Sequence, residues 1–194
     1  MITLSKIRRF RRGQSQQRGF TLIEVLIATV VLTVGLVGVL SVFSVAIATT
    51  QTSQQNLIAK QLANDAMESI FTARNSNQAQ WDQLQNVGAA TTPDGIFVKG
   101  FQPINNPGPD GIYGTADDAT DTPEVLTLPG PDGIMNTPDD QTISLAGYQR
   151  QIEIDPVAGT DTLRTITITI QYTPQPQFSF KKSYVLQGYI SQYR

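Results

Sequence analysis

One carboxylate and one acidic repeat are the residues best placed to do chemistry. Glu24 sits inside RGFTLIEVLIATVVLTVGLVGVLSVFSVAIA, residues 18–48, and no further charge follows until Lys60. A lone carboxylate in a segment apolar enough for lipid costs several kcal/mol on translocon-type scales, so it calls for a neutralising partner. The second candidate lies in residues 107–140, which hold Asp110, Asp117, Asp118, Asp121, Glu124, Asp132, Asp139 and Asp140 and no base. Crowded carboxylates repel unless solvated or bridged, and calcium takes six to eight oxygen ligands in flexible geometry. Other chemistry is excluded by composition. The 194 residues contain no Cys and no His, which removes disulfides, Cys/His zinc sites and His- or Cys-based triads. No phosphate-binding glycine motif occurs, so an enzyme is not expected.

The acidic stretch is internally repeated. Pro107-Gly108-Pro109-Asp110-Gly111-Ile112-Tyr113-Gly114-Thr115-Ala116-Asp117-Asp118 aligns with residues 129–140, differing only at Tyr113/Met135, Gly114/Asn136 and Ala116/Pro138. Pro93-Asp94-Gly95-Ile96 reads as a truncated third copy. Asp110, Asp117, Asp118, Asp132, Asp139 and Asp140 are the candidate calcium ligands. Their spacing is not that of an EF-hand; it is loosely similar to Asp-Gly repeats of extracellular calcium proteins. Two Pro-Asp-Gly turns with solvated carboxylates are the plain alternative.

The elements that carry these residues follow from patterning. Residues 1–19 are basic, with Lys6, Arg8, Arg9, Arg11, Arg12 and Arg18 and no acid. From Val25 to Ala48 run about 24 mostly apolar residues, where about 20 suffice to cross a bilayer as a helix. A continuous helix is expected from Phe20 to about Arg74, free of proline, ending at Asn75-Ser76-Asn77. Gly35 and Gly38 either allow close helix contact or are ordinary membrane-helix glycines. Beyond Thr50 the pattern becomes amphipathic, with Leu57, Ile58, Leu62, Ala66, Ile70 and Phe71 on one face. Trp81 and Leu84 should pack in the following connection, and Ile96–Phe101 reads as a short strand. Residues 103–141 lack apolar periodicity. Tyr148, Arg150, Ile152 and Ile154, then Ile166, Ile168, Ile170 and Tyr172, alternate with polar residues as strands do. Phe178, Phe180, Tyr184, Leu186 and Ile190 suggest a last strand.

Gly19-Phe20-Thr21-Leu22-Ile23-Glu24, behind a basic leader and ahead of an apolar helix, resembles the processing site of type IV pilins and the pseudopilins of type II secretion. That resemblance implies cleavage between Gly19 and Phe20, N-methylation of Phe20, and an assembly role for Glu24. The Phe20 amine of a neighbouring subunit, or of the same chain, would meet the Glu24 carboxylate. It also implies an α+β, pilin-like fold: a long helix, transmembrane in its first half and amphipathic in its second, packed on an antiparallel sheet of about four strands. The divisions would be a leader 1–19, a transmembrane or filament-core helix 20–48, an amphipathic helix 49–80, and a β-rich head 81–194 carrying the acidic loop 103–141. The absence of mid-helix proline and the wording of 24–28 lean toward a minor pilin of the PilV type.

Expected partners are a prepilin peptidase, other pilin or pseudopilin subunits and an inner-membrane assembly platform. The chain would sit in the bacterial inner membrane, leader cytoplasmic and head periplasmic, before entering a filament. A pseudopilin is the rival of the same class. A membrane-anchored calcium- or ligand-binding domain that never polymerises is the rival of another class. Conventional signal cleavage has only Ala46-Ile47-Ala48 as a weak match. Six of the 14 basic residues lie in 1–19, leaving eight against 16 acids in the remainder, so nucleic acid is not an expected partner.

Overall fold

The computed structural model describes residues 19–88, 95–120, 122–174 and 180–193. The chain divides into two compact units, Met1–Ile47 and Ala48–Arg194. Helix α1 spans Leu22–Asn75. Its start is set by Thr21, whose Oγ1 accepts from the Glu24 N–H at 3.3 Å and whose carbonyl accepts from Val25 N at 3.2 Å. This satisfies helix-end donors that otherwise lack partners. Asn77, at φ 61°, ends the helix in the left-handed conformation asparagine tolerates, and Gln78 and Ala79 both donate to the Ala73 carbonyl.

Within the first unit every described apolar side chain of α1 is exposed, and the helix contains an apolar window long enough to cross a membrane. Its few hydroxyls turn back on the helix: Thr29 to the Leu26 carbonyl, Thr33 to Val30 and Ser41 to Val37, at 2.8–2.9 Å. Each thereby spares an unpaired polar group in an apolar surrounding.

Among the described residues the second unit holds six strands: β1 Gln102–Pro103, β2 Val125–Leu128, β3 Gln141–Ser144, β4 Tyr148–Pro156, β5 Leu163–Tyr172 and β6 Lys182–Ser191. The main sheet is antiparallel in the order β1-β4-β5-β6, and β2 and β3 form a separate hairpin. Ile154 faces Ile166, Ile152 faces Ile168, and Ile168 faces Leu186. This isoleucine-rich face is buried together with Ala59, Leu62, Ala63, Ala66, Ile70 and Ala73 of α1. Each fully buried isoleucine is worth about 1.5–3 kcal/mol. The helix stripe is mostly alanine because helix and sheet approach closely: a methyl on Gly188 of β6 would meet the Met67 thioether at 3.2 Å. Polar ties add direction. Arg74 Nε donates to the Ser191 carbonyl at 3.1 Å, and Gln55 Nε2 to the Pro174 carbonyl at 2.8 Å.

Three sequence expectations are corrected. Leu57 does not join the core; it is 67% exposed, two residues before Ala59 and therefore on the opposite side of the helix. Ile96–Phe101 is not a strand: only Phe97 forms a bridge, with Asn86, and Gly100 at φ 83° turns the chain away. The stretch 103–141 is less irregular than its composition indicated, since it includes β2 and the approach to β3. In the last strand Phe180 precedes β6 and is exposed. Phe178, Asp121 and Pro93-Asp94 of the third repeat copy lie outside the described residues.

Candidate functional site

The processing motif lies at the helix entrance. Gly19 and Phe20 are outside regular structure, nothing stands within 4 Å of where a Gly19 Cβ would be, and Phe20 is 81% exposed. The bond between them is therefore open to a protease. Glu24 falls on the first turn of α1, three residues after Thr21, the spacing of a capping box. The dipole of the helix start favours a carboxylate there. The sequence pattern Thr-x-x-Glu carries this signal, which adds a local role for Glu24 at the helix start to the expected pairing with a Phe20 amine.

The two acidic repeats fold into the same loop. In each, the first aspartate caps the turn: Asp110 Oδ1 accepts from Ile112 N and Asp132 Oδ1 from Ile134 N, both at 2.8 Å. The last aspartate accepts from the left-handed residue, Gly114 N to Asp118 Oδ2 at 2.6 Å and Asn136 N to Asp140 Oδ2 at 2.7 Å. Gly114 has φ 88° and Asn136 φ 67°, so the one backbone-critical difference between the copies is a substitution that this conformation permits. Thr115 and Thr137 donate to Asp117 and Asp139 at 2.5 and 2.7 Å. A side chain at Gly108 or Gly130 would collide with those same aspartates.

The aspartates of copy one converge: Asp110, Asp117 and Asp118 each place an oxygen within 3.4 Å of Thr115 Oγ1. One hydroxyl proton cannot serve three carboxylates. Still, no group of three or more acidic side chains is spaced to hold a metal among the described residues. In copy two Asp139 is held below the usual carboxylate range, chiefly by the Thr137 hydroxyl.

What the repeats do not share is burial. Ile112 is 3% exposed and sits in the core, whereas its counterpart Ile134 is 60% exposed. Copy one is fastened by Arg150, a strand residue 3% exposed. Its guanidinium lies 4.2 Å from the Tyr113 ring centroid, and Nη2 stands 3.9 Å from Asp118 Oδ2. Glu124 and Asp65 also act on it, and Arg150 Nη1 and Glu124 Oε2 are buried without hydrogen-bond partners. Burial pushes the Asp118, Glu124 and Asp65 carboxyls above their ordinary values despite the arginine. Tyr113, pushed up to about 12 by burial, stays protonated and donates to Glu124 Oε1 at 3.4 Å. In sequence Arg150 alternates with the polar residues of β4 alongside Tyr148, Ile152 and Ile154, and the groups that neutralise it come together only in the fold. Asn86 was missed altogether. Its side chain substitutes for a neighbouring strand, donating to the Ile152 carbonyl at 2.7 Å and accepting from Ile154 N at 2.8 Å.

Comparison with curated proteins and with solved structures gives no significant match. Residues 14–40 match the family model described as the prokaryotic N-terminal methylation motif. The matched region takes in Gly19, Phe20, Glu24 and the first turns of the apolar helix. The chain thus carries the prepilin signature shared by type IV pilins and pseudopilins.

Proposed function

We infer that the protein is a type IV prepilin, cut between Gly19 and Phe20, methylated on Phe20 and assembled as a minor subunit of a surface filament. One observation carries this reading. An unhindered Gly-Phe bond immediately precedes an exposed apolar helix whose single charge, Glu24, lies one turn from the amine that cleavage would create. In lipid the attraction between that amine and a carboxylate offsets part of the desolvation of both. A neighbouring subunit's amine is the favoured partner, because it couples neutralisation to assembly. The prepilin peptidase, other pilins and an inner-membrane platform are the partners this requires. The alanine-striped half of α1 and the sheet then form the head.

The test is Glu24→Ala. It should be cleaved normally yet enter sheared filaments poorly; undiminished incorporation would remove the pairing role. A pseudopilin remains the second reading, favoured by the same motif, and recovery of the protein in surface filaments separates the two. Calcium belongs to this proposal as a ligand of the twin loops, supported by the convergence of Asp110, Asp117 and Asp118 on one hydroxyl.

A further inference from the structure

The twin loops are an internal experiment in docking. With the same fold and the same hydrogen bonds, copy one inserts Ile112 into the core and copy two leaves Ile134 and Met135 in solvent, the latter 46% exposed. The exposed tip is the turn of the β2–β3 hairpin. A second apolar feature runs along that hairpin. It is a groove of about 690 Å³ whose apolar lining includes Leu57 and Ile58 of α1, Leu126, Leu128, Ile143 and Tyr148. None of its lining residues is charged. Leu57 lies on the side of α1 away from the alanine stripe and lines this groove.

We propose that the Ile134–Met135 tip of one copy of this chain docks into the Leu57–Leu128 groove of the next copy. Charge favours that occupant. The tip carries Asp132, Asp139 and Asp140 with no base nearby in sequence. Lys60 follows the groove residues Leu57 and Ile58 along α1. Lys182 is paired in register with Tyr172, whose ring stacks on groove residue Tyr148 at 5.3 Å. Lys181 bonds Gln149 and Gln171 on the other face of that sheet and takes no part in this flank. An acidic apolar plug and a lysine-flanked apolar socket are two different patches of one chain, so their contact is heterologous, the kind that repeats without closing when copies share one orientation. The inference rests on the polymerising reading above, since a common membrane helix imposes that shared orientation.

The chain contains no cysteine, so Ile134→Cys and Leu57→Cys introduce unique thiols at exposed positions outside the core. The two full-length variants, separately tagged, are co-expressed, oxidised in the membrane and resolved without reductant. The proposal requires a disulfide-linked heterodimer, a ladder of trimers and longer species when both cysteines are in one chain, and a severalfold lower yield on adding Lys60→Glu with Lys182→Glu. It is overturned if the heterodimer is absent, if Ile134→Cys alone dimerises equally well, or if the double variant closes only within one chain. N-terminal sequencing of the same samples separates the two levels: a mature Phe20 terminus without crosslinks defeats the docking alone, whereas a retained leader defeats the prepilin reading.

Discussion

Asp118 Oδ2 lies 3.9 Å from Arg150 Nη2, and through this pair the first aspartate loop is tied to the central strand β4. The loop supplies the acid, the sheet the base, and Tyr113 of the same loop covers the guanidinium. A buried charge of this kind destabilises strongly when its partner is removed. Arg150→Ala should therefore cost about 3–5 kcal/mol in chemical denaturation. Replacing Arg150, Asp118 and Glu124 together by apolar residues of similar volume should recover much of that loss. An Arg150→Ala chain as stable as the parent would refute the tie.

The same cluster fixes the sign of a pH dependence. Burial raises the folded-state values of Asp118, Glu124 and Asp65 above the ordinary 3.8 and 4.5. The folded head thus binds protons more readily than the unfolded chain. Their contribution is fully present below those ordinary values and is lost as pH rises through the higher folded ones. Thermal melting of the detergent-solubilised chain should show this cluster favouring mildly acid over neutral pH. Asp118→Asn with Glu124→Gln should flatten that dependence; an unchanged profile in the double variant would contradict the assignment.

Gly108 and Gly130 occupy equivalent places, and a methyl on either would strike an aspartate of its own loop. Only copy one is built into the core. Gly108→Ala should lower the melting temperature of the head by several degrees, because about 1 kcal/mol shifts a domain of this size by a few degrees. Gly130→Ala should leave it nearly unchanged. Equal effects would mean that the two loops carry equal structural weight.

Calcium titration of the full chain in detergent tests the loops as ligands. Binding in the sub-millimolar to millimolar range, typical of extracellular modules, is expected. Asn at both Asp117 and Asp118 should remove one site, and Asn at Asp139 and Asp140 the other. No heat at millimolar calcium would end the calcium reading.

Much of this was legible in the sequence because period and punctuation are local. The apolar run after Glu24, the Ile-x-Ile alternation of β5 and the asparagine-rich stop at 75–77 each declare an element by spacing alone. The hairpin β2–β3 did not, since Val125–Leu128 is four residues long and its partner strand begins 12 residues later, across an aspartate loop. Leu57 is out of phase with Ala59, Leu62, Ala66 and Ile70, and it falls outside the core for that reason. The duplication was plain in the sequence, but the unequal fate of its copies was not: Ile112 and Ile134 have identical immediate neighbours on their N-terminal side. What separates them is Arg150, nearly 40 residues from one and 16 from the other, and its position under Tyr113 is a tertiary fact.

The filament account stands or falls with a proteolytic event. Mass spectrometry of the protein isolated from its native membranes should find a first residue of Phe20 bearing a methylated amine. A terminus that retains residues 1–18, or one created by cutting after Ala48, would leave Glu24 without the amine that explains it and would contradict the account.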